Sequence, residues 1–149
     1  MTLLPLPRRQ RRALTDSSAY LALLDRRDRN HPTAVGILEW LADEGYRLYT
    51  TSTMLVESRA LILSVLGGRV ATEFLRSMES SSTVVIRVRA SDEARARAII
   101  YRYDDKTYSY NDAISFAVME RLGLEAAFTF DSDCRQYRLT VLSPPRSRP

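Results

Sequence analysis

Four acidic residues stand where short apolar runs give way to polar chain. Asp16 closes Ala13-Leu14-Thr15, and Asp131 closes the run from Glu125 to Phe130. Glu57 and Asp112 lie near the starts of two helical segments, Glu57 at the edge of an apolar stripe and Asp112 in the first turn of the most apolar helix. In an open parallel sheet, ligands bind beyond the carboxyl ends of the strands, so these acids would share one edge. Two carboxylates about 5 Å apart repel by roughly 3 kcal/mol at an effective dielectric of about 20. Several such pairs weigh heavily against a total stability of about 5–15 kcal/mol. A bound cation removes that repulsion. Carboxylate-only ligation suits magnesium or manganese and does not suit structural zinc. A metal so held orients and acidifies water and stabilises charge on a phosphoryl oxygen, so phosphodiester hydrolysis is the natural chemistry.

Each acid also has a purely structural role open to it. Asp16 and Asp131 could be helix N-caps. Asp112 stands three residues after Ser109, the spacing of a capping box, and Glu57 could be a solvated residue beside the core. Taken singly these roles suffice; their convergence on one sheet edge favours a site. Other chemistry finds less support. His31 is the only histidine, precedes Pro32 at a helix start, and reads as a surface residue rather than a catalytic base. Cys134 is the only cysteine, which excludes an intrachain disulfide and a multi-thiolate metal site. Tyr101, Tyr103, Tyr108 and Tyr110 cluster before Asp112 and fit packing better than base stacking. No Gly-rich phosphate loop of the Walker type is present.

The elements that position these residues alternate. Strands are expected at Ala13–Thr15, Tyr46–Thr50, Thr83–Val88, Glu125–Phe130 and Leu139–Leu142. Helices are expected at Ser17–Arg27, from His31 to about Glu44, Thr53–Leu66, Arg69–Glu79, Asp92–Tyr103 and Ser109–Leu122. The last is apolar nearly all round and so deeply packed. This alternation implies an α/β class: one three-layer α/β/α domain over 13–142 with a mostly parallel central sheet. Residues 1–12 form an expected flexible basic arm and residues 143–149 a flexible tail.

Charge follows that division. The 149 residues carry 22 basic and 18 acidic side chains, a formal net charge of +4. Six of the basic residues (Arg8, Arg9, Arg11, Arg12, Arg146, Arg148) lie in the two tails, so the body holds 16 against all 18 acids and is slightly acidic. The basic tails fit screened attraction to nucleic acid or an acidic partner, or simple solubility. No apolar run is long enough to cross a bilayer, and Asp16 interrupts the stretch behind the N-terminal arginines, so neither a membrane span nor an export signal is expected and a reducing cytoplasm is the default.

Thr15-Asp16-Ser17-Ser18-Ala19 resembles the opening motif of PIN-domain nucleases. Thr53–Arg59 with its Val-Glu-Ser resembles their second acidic motif, Tyr103–Ala113 their third, and Ala127–Asp133 their fourth. The four run in family order from about Ala13 to Leu142. The resemblance implies a Mg2+-dependent (Mn2+ possible in its place), single-strand-preferring endoribonuclease with Asp16, Glu57, Asp112 and Asp131 as the acidic set. It implies Asp16, Asp112 and Asp131 on the metal, and support from Ser17 and Asp133. Where the family commonly carries an aromatic after its last acid, this chain has Cys134 and Arg135; Asp131 is favoured over Asp133 as the nearer ligand. Stand-alone domains of this size resemble VapC-type toxins, which implies an RNA substrate, a cognate antitoxin protein and a homodimer. A PIN nuclease of RNA maturation or decay that is not a toxin, and a non-catalytic PIN-like scaffold, are the competing readings.

Overall fold

Short β-branched and apolar runs pair into a five-stranded sheet in the computed structural model, which describes residues 11–137 and 139–142. The strands are β1 (Arg12–Thr15), β2 (Arg47–Thr51), β3 (Val84–Ile86), β4 (Ala126–Phe128) and β5 (Thr140–Val141). Their order is β3-β2-β1-β4-β5, and all four pairings are parallel. The helices are α1 (Ser17–Leu24), α2 (His31–Asp43), α3 (Ser52–Leu66), α4 (Gly68–Ser80), α5 (Ala90–Arg102), α6 (Tyr110–Leu122) and α7 (Asp133–Gln136). Parallel strands need crossover connections, and the helices supply them. Among the described residues no helix is long and apolar enough to cross a membrane.

The expected α/β architecture is therefore present, with boundaries shifted by a few residues. The first helix ends at Leu24, three residues early, because Asp25 is extended and begins an Asx-type turn to Arg27. The short α7 was not foreseen. The bulk of the arm and the tail expected to be flexible, residues 1–10 and 143–149, lies outside the described residues. Arg11 and Arg12, assigned to that arm from the sequence, are tied into the body. Arg11 donates to the Glu44 carbonyl at 2.7 Å, and Arg12 lies in β1 and donates to the Leu122 carbonyl at 3.2 Å.

Two layers of core clamp the sheet. On one side α6 buries Ala113 through Met119 without a break, with Phe116 stacked on Tyr137 at 4.3 Å between ring centroids. Phe116 is fully buried, and its truncation to alanine would cost about 3–5 kcal/mol. On the other, α1 and α2 pack Ala19, Ala22, Ala34, Ile37 and Leu41 against Phe128. Tyr20 meets Phe74 edge-on at 5.1 Å, joining α1 to α4. His31, expected at the surface, is half-buried: Nδ1–H donates to the Ala22 carbonyl at 2.8 Å and ties the start of α2 to α1.

α5 and α6 lie antiparallel. Buried Asp92 receives Arg121 at 2.8 and 2.9 Å, and Arg95 meets Glu120 at 2.9 Å, close to the C-terminal end of α6. The Arg121 guanidinium holds the Asp92 carboxyl below its usual range. Gly123 ends α6 at φ +67°, a left-handed conformation that a side chain resists, and frees the chain to enter β4.

Candidate metal centre

β1 and β4 are neighbours in register, with Thr15 opposite Phe128, and the Asp16 N–H donates to the Phe128 carbonyl at 3.1 Å. The chain leaves β1 toward one side of the sheet and β4 toward the other, so their carboxyl ends form the topological switch point at which such sheets bind ligands. Asp16, at the end of β1, and Asp131, just past β4, are thereby set side by side.

Asp16 caps α1, its Oδ1 accepting from the N–H groups of Ser18 (2.9 Å) and Ala19 (3.3 Å) and from the Ser18 hydroxyl (2.6 Å). Its Oδ2 accepts from the Thr129 hydroxyl at 2.5 Å. Thr129 Oγ1 in turn accepts the Asp131 N–H at 3.0 Å, and Ser18 Oγ accepts that of Phe130 at 2.9 Å. Two buried or half-buried hydroxyls thus fasten the end of β1 to the end of β4. Burial holds the Asp16 carboxyl above its usual range. The Ser18, Thr129 and Ala19 hydrogen bonds oppose that rise, and the charge of Asp131 adds to it.

Asp112 completes the capping box of α6: its N–H donates to Ser109 Oγ at 3.0 Å, and its Oδ2 accepts the Ser109 N–H at 3.1 Å. Asp131 Oδ1 accepts the Asp133 N–H at 3.0 Å, which turns the chain so that Asp133, at the start of α7, faces the same space. Carboxylate oxygens of Asp112, Asp131 and Asp133 lie within 4.8 Å of one another. Asp133 is pushed up to about 6, first by burial and then by a hydrogen bond with Asp112 and the charges of Asp131 and Asp112. Such crowding is what a hard divalent cation relieves, and the all-oxygen donor set fits one.

The structure thus gathers three of the acids singled out in the sequence, Asp112, Asp131 and the supporting Asp133. Asp16 stands beside Asp131 with both its oxygens already engaged. Glu57 is exposed on α3, and Asn111, the residue before Asp112, donates to its Oε2 in a short hydrogen bond. Of the two serines after Asp16, it is the Ser18 hydroxyl that bonds its carboxylate, where the sequence points to Ser17. Sequence reasoning passed over Ser18, Thr129 and Asn111. Ser18 and Asn111 lie within the motifs, and Thr129 is a polar residue between Phe128 and Phe130. The Cys134 thiol is buried and pushed up to about 12, by that burial and by the charge of Asp16, which removes it as a nucleophile. A cleft of about 290 Å³, lined by Arg12, Tyr46, Glu125 and Thr140 among others, opens at the amino ends of the strands, away from the acids.

Residues 13–139 match the model of the PIN domain. The chain belongs to the PIN-domain family. It is 33% identical over 118 residues to the 23S rRNA-specific endonuclease VapC20 of Mycobacterium tuberculosis, covering 79% of this chain and 88% of that protein. The crystal structure of M. tuberculosis VapC20, described as a Sarcin-Ricin loop cleaving toxin, superposes with a TM-score of 0.81 at 29% identity, over 89% of this chain and 99% of that one. FitAcB from Neisseria gonorrhoeae shares the fold at a TM-score of 0.64 and 17% identity, over 89% of this chain and 97% of that chain. The PIN chain is a nuclease of the VapC type.

Proposed function

We propose that this PIN nuclease is a magnesium-dependent endoribonuclease acting as the toxin of a toxin–antitoxin pair. The observation that carries the proposal is the meeting of Asp112, Asp131 and Asp133 within 4.8 Å at the switch point of the sheet. These three would hold the cation, with Asp16 braced behind Asp131; manganese suits the same donors. Bound there, the ion supplies positive charge for a phosphate and acidifies water. The chain's own residues do the rest. Ser18 and Thr129 fix Asp16 and, through the Asp131 N–H, the start of the loop that carries two of the ligands. Asn111 steadies Glu57 through Oε2, leaving Oε1 to accept the proton of the attacking water.

RNA is the substrate class, as the 23S rRNA-specific endonuclease activity of VapC20 supports, and a ribosomal RNA loop is the first substrate to try. An antitoxin segment filling the acidic groove is the partner implied by the resemblance to VapC-type toxins. A second copy of the chain is proposed on α3, where Val56 is 73% exposed and Leu63 and Val65 are also open. An RNA substrate and a lone buried cysteine fit the cytoplasm. The test is incubation of purified protein and an Asp112→Asn variant with RNA in magnesium, manganese and EDTA. Cleavage that requires metal and disappears in the variant supports the proposal; cleavage unchanged in EDTA or in the variant defeats it.

A further inference from the structure

The four tyrosines before Asp112 divide into two pairs. Tyr108 is buried and packs edge-on against Phe116 at 5.2 Å and Tyr137 at 6.1 Å, and Tyr103 packs against both Tyr108 and Tyr137. Tyr101 and Tyr110 instead face solvent, 72% and 44% exposed. Arg97 links them. Its Nη1 donates to the Tyr110 hydroxyl at 3.1 Å, and it sits one helical turn before Tyr101, with Glu93 a turn earlier. Because α5 and α6 run antiparallel, the C-terminal end of α5 lies beside the first turn of α6. That turn carries Tyr110, Asn111 and Asp112 in succession. Tyr110 thus stands in the same helical turn as Asp112, with the Arg97 guanidinium at its hydroxyl and Tyr101 one turn further along α5.

We propose that Arg97, Tyr101 and Tyr110 form a platform for an unpaired nucleotide next to the cleaved bond, an assignment that rests on the nuclease reading above. An RNA strand with its phosphate at Asp112 continues over the residues beside it. A tyrosine ring offers a stacking face to any base, and the planar Arg97 guanidinium can pair with a phosphate through two parallel hydrogen bonds. In a body of slightly acidic balance, a cation at this point offsets the repulsion between the strand and the carboxylates. The platform selects single-stranded over paired RNA, because bases in a duplex do not expose their faces.

The test measures anisotropy of a short fluorescein-labelled single-stranded oligoribonucleotide of mixed sequence, in EDTA, with wild type, Tyr101→Ala, Tyr110→Ala, Tyr110→Phe and Arg97→Ala. Each alanine substitution at a tyrosine should weaken binding about five- to hundredfold, while Tyr110→Phe keeps most of the affinity because the ring remains. Arg97→Ala should flatten the slope of log affinity against log salt by about 0.7. Unchanged melting temperatures would show that the exposed substitutions leave the fold intact. Alanine variants that bind RNA like the wild type overturn the platform, as does a wild type that binds no RNA. A parallel cleavage assay in magnesium keeps the two readings apart: a wild type that binds through the tyrosines but never cleaves would end the nuclease reading and leave the platform standing.

Discussion

Replacing Thr129 with valine removes one hydroxyl and almost no volume. That hydroxyl donates to Asp16 Oδ2 and accepts the Asp131 N–H, so its loss strips one bond from a buried carboxyl and leaves a half-buried N–H without an acceptor. A hydrogen bond to a charged group contributes about 1.5–3 kcal/mol and an orphaned buried donor costs about 1–3 kcal/mol; with partial relaxation the sum is about 3 kcal/mol, or about 10 °C in melting temperature for a body of this size. A second consequence is electrostatic. The Asp16 carboxyl already titrates above its usual range, and the Thr129 bond is one of the contacts that lower it. Thr129→Val should therefore raise it further and move the acidic limb of the cleavage rate to higher pH. Urea unfolding at neutral pH and a pH–rate profile, each beside wild type, provide the readouts. Unfolding within about 0.5 kcal/mol of wild type, together with a coincident acidic limb, would refute the idea that Thr129 locks the two strand ends together.

Further predictions follow from the same contacts. Asp133 is raised from 3.8 to about 6, so the stability its proton contributes is complete below pH 3.8 and is lost as the pH rises through about 6. Metal-free protein should lose about 1 kcal/mol across that window after screening is allowed for. Added magnesium should restore it, and Asp133→Asn should remove the dependence, as melting curves in EDTA and in magnesium can show. Asp131→Asn relieves carboxylate repulsion and should raise metal-free stability by about 1 kcal/mol while lowering cleavage at least about a hundredfold; a less stable variant in urea unfolding would contradict the crowding argument. Asp92→Asn breaks the buried pair with Arg121 and should cost about 3 kcal/mol by chemical denaturation. Expression in bacteria should be toxic, and Asp112→Asn should relieve that toxicity in a growth assay.

The reach of the sequence varies with the kind of interaction. Strand and helix alternation was readable because the buried strands are short apolar runs and α6 is apolar on nearly every face, signals that survive without tertiary knowledge. The acids at strand ends were readable for the same reason, since a parallel topology fixes which ends meet. The structural roles open to Asp16 and Asp112 were equally legible: Asp16 caps α1, and the Asp112 carboxylate closes the capping box of α6. Ser18 and Thr129 were missed because their partnership spans 111 residues and depends on the β1–β4 register. The four-residue α7 follows from an Asx turn at Asp131 and carries no periodicity to detect. The exposed and buried tyrosines could not be separated before the α5–α6 pairing was known.

The position of the bound cation decides most directly whether these carboxylates form the site. Crystals of the wild-type protein soaked in manganese and measured near the manganese absorption edge would locate it by anomalous scattering. A peak within about 2.3 Å of oxygens from Asp112, Asp131 and Asp133 is the predicted result. Protein that cleaves RNA in manganese yet shows its bound ion elsewhere, with these three carboxylates unligated, would contradict it.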